Sequence, residues 1–218
     1  TTDAARYLPR ENHHVYNGSA WVKEGYLHEP EAATNLATSS NTFTPSGDST
    51  VTADSGISPT GETDAVLADT ASNSNSNAIF LPSYFVATGI TCTTSLYVKN
   101  VEGSGILAFF FRSNGGVNQT VVWFNLNTGE KGSREADGGT TSVSDFGITS
   151  EGNGWFRIYV TGSDIAHTTR NPFIISATAD GSKDREADGE LLIFGTQSEA
   201  GSVPTSYIPT AGSTVTRA

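Results

Sequence analysis

Three stretches of this chain alternate apolar and polar side chains with a period of two. In residues 95–99, Leu96 and Val98 face one way while Tyr97 and Lys99 face the other. In residues 120–126, Val122, Phe124 and Leu126 oppose Val121, Trp123 and Asn125. In residues 155–161, Phe156, Ile158 and Val160 oppose Trp155, Arg157, Tyr159 and Thr161. A period of two belongs to a strand, whose successive side chains leave on opposite faces. Residues 106–111 are apolar on both faces until Arg112, the pattern of a central strand covered on both sides. Glycine and asparagine clusters at 115–116, 127–129 and 153–154 mark the turns between these strands.

The same reading extends over most of the chain. Short strands are expected at 49–54, an edge, and at 64–69, 78–81, 171–179 and 191–194. Residues 72–77, alternating Ser and Asn, form a small polar loop too short to serve as a linker. No convincing amphipathic helix appears, and Thr, Ser, Gly and Asn dominate the composition. Ten to twelve short strands, as a rough count, predict an all-β fold, an antiparallel β-sandwich of jelly-roll type. Residues 1–218 are expected to form one such domain, since sandwiches of this length commonly do. The Leu96/Val98/Phe124/Ile158 side would be buried between the two sheets.

Residues 1–36 read as an extended N-terminal arm with strands at 5–8 and 25–29 and a hairpin turn at Asn17-Gly18. Residues 200–218 read as a docked C-terminal tail, held extended by Pro204 and Pro209 and anchored by Tyr207 and Ile208. The absence of an initiator methionine and of a signal-peptide pattern reads as an excised or processed segment. No apolar stretch approaches membrane-spanning length. A net charge of -11 argues against general nucleic-acid binding. Cys92 is the one cysteine, so no intrachain disulfide forms, and Thr91, Thr93 and Thr94 around it read as a strand.

Several groupings bear on chemistry. On one outward sheet face the alternation places Trp123, Tyr159, Arg157, Tyr97, Asn125 and Lys99. Aromatic rings stack on the C–H faces of sugars, and planar polar side chains bond sugar hydroxyls, so this set is the candidate ligand-binding face. The competing reading covers the face with the N-terminal arm or the 37–63 connection and makes its aromatics a second core. His13 and His14, with Asp3, Glu11 and His28, contain metal-ligand types, but adjacent strand residues point apart and solvated histidines fit better. Arg134-Glu-Ala-Asp-Gly138 recurs as Arg185-Glu-Ala-Asp-Gly189. If the two turns were neighbours their four carboxylates could hold a structural calcium, although each copy carries its own neutralising arginine. Glu186, Asp188 and Glu190 have an E-x-D-x-E spacing found in some jelly-roll glycosidases, but Ala187 and Gly189 suggest a loop instead of a catalytic strand. No phosphate loop, zinc spacing or nucleophile elbow is present.

Three stretches resemble a sandwich domain of tailed-bacteriophage structural proteins, especially tail-fibre and other virion-surface proteins. Ala5-Arg6-Tyr7 with residues 25–36 (Gly-Tyr-Leu-His-Glu-Pro-Glu-Ala-Ala-Thr-Asn-Leu) is similar to the family's opening. Residues 152–157, Gly-Asn-Gly-Trp-Phe-Arg, are similar to its Gly-Asn-Gly-Trp-Tyr-Arg. Residues 193–201 with 205–210, Thr-Ser-Tyr-Ile-Pro-Thr, resemble its ending, with Phe194 in place of Trp and Ser198 in place of an apolar residue. The resemblance implies a concanavalin-like or carbohydrate-binding-module-like jelly roll on a virion surface or in an extracellular setting. It implies adhesion through polysaccharide or cell-surface glycan, contact with other virion proteins, and no catalysis. It transfers no binding residues. The expectation is thus a non-catalytic, lectin-like carbohydrate-binding module. The alternatives are a purely structural virion decoration or spacer and, further off, a glycoside hydrolase or polysaccharide lyase.

Overall fold

The computed structural model describes residues 14–16, 19–23, 32–70, 76–113 and 118–217. The expected strands at 5–8 and 25–29, the turn residues 17, 18, 115 and 116, and most of the Ser/Asn loop lie outside these. So do the histidine and carboxylate side chains at 3, 11, 13, 14 and 28. Every regular element among the described residues is a strand.

In chain order the strands are β1 (His14–Tyr16), β2 (Trp21–Lys23), β3 (Ala33–Asn35), β4 (Thr44–Ser46), β5 (Thr50–Ile57) and β6 (Thr63–Asp69). Next come β7 (Ala78–Phe80), β8 (Tyr84–Phe85), β9 (Cys92–Glu102), β10 (Ile106–Ser113), β11 (Asn118–Asn125) and β12 (Glu130–Arg134). The last are β13 (Thr141–Gly152), β14 (Trp155–Asp164), β15 (Thr169–Arg170), β16 (Phe173–Ala177), β17 (Glu190–Ala200) and β18 (Val215–Arg217). One sheet, called here sheet I, has the order β13-β14-β9-β17-β6-β5. Sheet II has the order β12-β11-β10-β16-β7-β4, with β8 and β15 attached beside β10. All recorded pairings within both sheets are antiparallel, as the jelly-roll expectation requires. Among the described residues two small ribbons, β1-β2 and β3-β18, stand beside these sheets.

The inner faces carry the main core. Leu96, Val98, Ile158, Val160 and Ile193 from sheet I meet Leu107, Phe109, Phe111, Phe124 and Ile174 from sheet II. The expected inward side is therefore the buried one. Each outer face has a smaller cluster of its own. On sheet I, Trp155 and Phe194 pack with Ala65 and with Tyr207 from the tail. On sheet II, Phe110, Trp123, Phe173 and Ile175 form a second layer.

The final sheet strand differs from expectation. It runs through Ala200 instead of ending at Phe194. Gly195, at a φ of 64°, forms part of an irregularity after which Gln197, Ser198 and Glu199 resume pairing with β9. These polar residues are buried because the tail returns over them. Gln197 Nε2–H donates to the Ser206 carbonyl (3.1 Å), and Gln197 Oε1 accepts from the Ile208 N–H. Glu199 Oε2 accepts from the Thr205 N–H at 3.0 Å. Asn35 ties β3 into the same junction. Its Nδ2 donates to the carbonyls of Thr196 (3.2 Å) and Ile208 (2.9 Å), and its Oδ1 accepts from Ser198 N–H (2.9 Å) and Ala37 N–H (3.1 Å). A buried amide with both ends satisfied fixes the path of three separate segments.

Candidate functional site

Four of the six proposed binding residues share the outer face of sheet I. Arg157 lies opposite Tyr97 in the β14-β9 pairing, and Tyr159 lies opposite Ser95. Lys99 is on the same face of β9, opposite Leu192 of β17. The other two residues are on the far side of the molecule. Trp123 and Asn125 belong to β11, so their outward direction is the outer face of sheet II. Alternation assigns a residue to one side of its strand, but it cannot say which sheet holds the strand. The six residues therefore do not form one site.

Trp123 is only 3% exposed and belongs to the outer cluster of sheet II. Its indole N–H donates to the Ser182 carbonyl at 2.7 Å, beneath the segment that follows β16. Asn125 has a local task. Its Oδ1 accepts from the N–H groups of Asn127 (2.9 Å) and Thr128 (3.0 Å), shaping the turn into β12. A side-chain carbonyl of this kind stands in for a backbone acceptor in a tight turn.

On sheet I the tail takes up part of the face. Arg157 lies over the Tyr97 ring, 5.3 Å from its centroid, while its Nη2 donates to Ser95 Oγ (3.0 Å) and the Thr205 carbonyl (2.6 Å). Tyr207 packs edge-on to Tyr97 at 6.1 Å. The covered reading is thus realised in part by the C-terminal tail, while most of the N-terminal arm lies outside the described residues.

What remains is a half-buried strip through Tyr159, Arg157 and Lys99 along the tail's edge. Tyr159 donates its hydroxyl to Asp145 Oδ2 at 2.9 Å. Burial, the hydrogen bond from the phenol and the Asp145 charge together push the Tyr159 phenol up, so it stays protonated and able to donate. Its ring lies against Gly147 of β13, where an added Cβ would stand 2.4 Å from Cε1. Burial also raises the Glu151 carboxyl, a shift opposed by the nearby Arg157 charge. The strip offers an aromatic ring, a guanidinium, an ammonium and carboxylates within one stretch of sheet.

The catalytic and metal readings find separate employment for their residues. Both carboxylate oxygens of Glu186 accept from the Ser104 N–H (2.7 and 2.8 Å), and Ser176 donates its hydroxyl to Oε2 at 3.1 Å. Ala187 and Asp188 form a turn and Glu190 begins β17, so the three acids do not alternate along a strand. In the first copy of the repeat Arg134 pairs with Asp137, while Glu135 pairs with Lys183 at 2.6 Å. Among the described residues, no group of three His, Cys, Asp or Glu side chains could hold a metal ion.

Sequence reasoning missed a cleft of about 390 Å³ beside sheet II, lined by Thr38, Ser39, Thr42, Thr44 and the segment Phe80–Ser83. Its signal was weak because the hydroxyl residues sit in a connection without periodicity and Phe80 reads as core.

No protein-family model matches the chain, and no curated protein matches it. Solved structures do match. The CBM22-1 xylan-binding domain of Paenibacillus barcinonensis Xyn10C shares 14% identity at a TM-score of 0.43, over 78% of this chain and 94% of that one. The CBM22-1–GH10 modules of Clostridium thermocellum endo-1,4-β-D-xylanase 10B, in complex with xylohexaose, share 14% identity at a TM-score of 0.40. That match covers 76% of this chain but only 27% of the xylanase chain.

Proposed function

We propose that this chain is a non-catalytic carbohydrate-binding module whose glycan lies along the Tyr159–Arg157–Lys99 strip, bordered by Tyr97 and the tail. The observation that carries this reading is the way Tyr159 is held. Its hydroxyl is fixed by Asp145 and its ring rests on Gly147, so stacking a sugar on it freezes few rotors. Arg157 and Lys99 beside it supply donors for hydroxyls, and Asp145 and Glu151 supply acceptors. Hydrolysis would need two carboxyl groups facing each other across a sugar. The acids of the 186–190 segment are instead committed to loop structure or apart from one another, which supports binding without turnover.

We place the module on a virion surface or in an extracellular setting, in contact with polysaccharide and with neighbouring virion proteins. That part of the proposal rests on the sequence resemblance of residues 5–36, 152–157 and 193–210 to phage surface proteins.

Affinity electrophoresis against neutral and acidic polysaccharides, with Tyr159→Ala beside the unaltered chain, tests the reading. Retardation by at least one neutral glycan that is weakened about tenfold by the substitution is the expected result. Equal retardation of both proteins removes the strip from the argument. A second reading, a spacer without ligand, is favoured by the tail's closure over Tyr97, and it predicts no retardation by any member of the panel.

A further inference from the structure

The outer face of sheet II carries a strip with a different character. Phe110 stacks on Phe173 with centroids 4.1 Å apart, and Phe173 meets Phe80 at 5.3 Å. These rings come from β10, β16 and β7, so they form a floor running across the strands. Arg112 lies over this floor, its guanidinium carbon 5.6 Å from the centroids of both Phe80 and Phe173. Its Nε is buried and has no hydrogen-bond partner. Next to it, Asn171 N–H bonds the Arg112 carbonyl, and Asn171 Nδ2 donates to Ser83 Oγ at 2.7 Å. Ser83 and Phe80 in turn line the 390 Å³ cleft with the hydroxyls of Thr38, Ser39, Thr42 and Thr44. From β10 to β4 is three strand spacings, roughly 14 Å.

The chemistry of this strip is selective. The chain carries a net charge of -11, yet none of Thr38, Ser39, Thr42, Thr44, Phe80, Ser83, Arg112 or Asn171 is acidic. A half-buried guanidinium held over aromatic rings, with no carboxylate paired to it among the described residues, is a cation whose best partner is a planar carboxylate. Hydroxyls and an aromatic edge beside it suit a sugar ring. We infer that the Arg112–Phe80 strip and its cleft bind a carboxylated polysaccharide, one containing uronic acid, with the carboxylate on Arg112 and the neighbouring sugar in the cleft. This extends the glycan-binding reading to a second face and a different substrate class.

Affinity electrophoresis and calorimetry with polygalacturonate, its methyl-esterified form and neutral xylan test it. The unaltered chain is expected to bind polygalacturonate, more weakly as salt rises, and the esterified polymer about tenfold less tightly. Arg112→Gln lowers polygalacturonate affinity about tenfold. Thr42→Glu, at an exposed residue that leaves folding undisturbed, does the same and guards against loss through misfolding. Equal affinity for the acid and the ester, or unchanged affinity in both the Arg112→Gln and Thr42→Glu variants, overturns the inference. Neutral-glycan binding that resists Tyr159→Ala refutes the sheet I strip alone, so the two readings fail separately.

Discussion

Asn35, Trp123, Gly147 and Asp164 each do work that their residue type does not announce. Asn35→Ala deletes an amide that accepts from two N–H groups and donates to two carbonyls, all buried. Leaving those groups unmet is expected to cost about 3 kcal/mol, measured by urea denaturation. Trp123→Ala, at a residue that alternation placed on the candidate ligand-binding face, should instead cost about 3–5 kcal/mol and leave the affinity of the folded fraction unchanged. Gly147→Ala would press a methyl group into the Tyr159 ring, so it should weaken neutral-glycan binding as Tyr159→Ala does, with melting temperature as the control. Asp164 is fully buried. Burial alone would raise its carboxyl, but the N–H groups of Ala166 (2.7 Å) and His167 (3.0 Å) and the His167 ring outweigh it and hold the carboxyl well below the usual range. A depressed folded-state pKa contributes stability that is complete above the unfolded value, about 4, and is lost as pH falls below it toward the folded value. Asp164→Asn should therefore flatten the fall in stability measured between pH 4 and pH 2.

At the scale of elements, the second half of β17 and the tail it holds decide how much of sheet I reaches solvent. Tyr207→Ala would open the cluster with Trp155 and Phe194 and is expected to cost about 3 kcal/mol. It should also make the chain after Gly201 a preferred site of proteolysis, readable by mass spectrometry of a limited digest. The strands β9, β11 and β14 were legible in sequence because a half-buried strand must alternate, and theirs do, whereas β12 and β13 were not read as strands. The inner core followed from that pattern, the central position of β10 from its apolar run on both faces, and the buried anchors Tyr207 and Ile208 from their place as the apolar pair of a proline-held tail. The continuation of β17 was legible only through Gln197 and Glu199, whose alternate spacing puts them on one strand face with tail backbone as their partners, because Thr196-Gln197-Ser198-Glu199 has no apolar face. Its partners are backbone groups of the tail, about ten residues further on, and a polar strand satisfied in this way looks like a loop. The candidate site was legible only in part for a related reason. Period two placed Tyr97, Arg157 and Tyr159 together correctly, but the assignment of β11 to the opposite sheet depends on long-range pairing that no local pattern encodes.

Over the whole molecule, two packed sheets bury one core between them and each sheet also carries an outer layer, closed by the tail on one side and by the segment after β16 on the other. Among the described residues, these covers leave a half-buried polar-aromatic strip on each side. The pairing of β3 with β18 has a mechanical consequence. Ala33 lies opposite Arg217 and Asn35 opposite Val215 in an antiparallel ribbon. A load entering near Ala33 and leaving near Arg217 is applied to neighbouring residues, so it peels that ribbon open one rung at a time before it reaches the sandwich. The first firm resistance is met at Asn35, whose amide is bonded to β17 and to the tail together. Tension on a glycan gripped by either face would thus stretch a short, reclosable ribbon while the binding surfaces kept their shape.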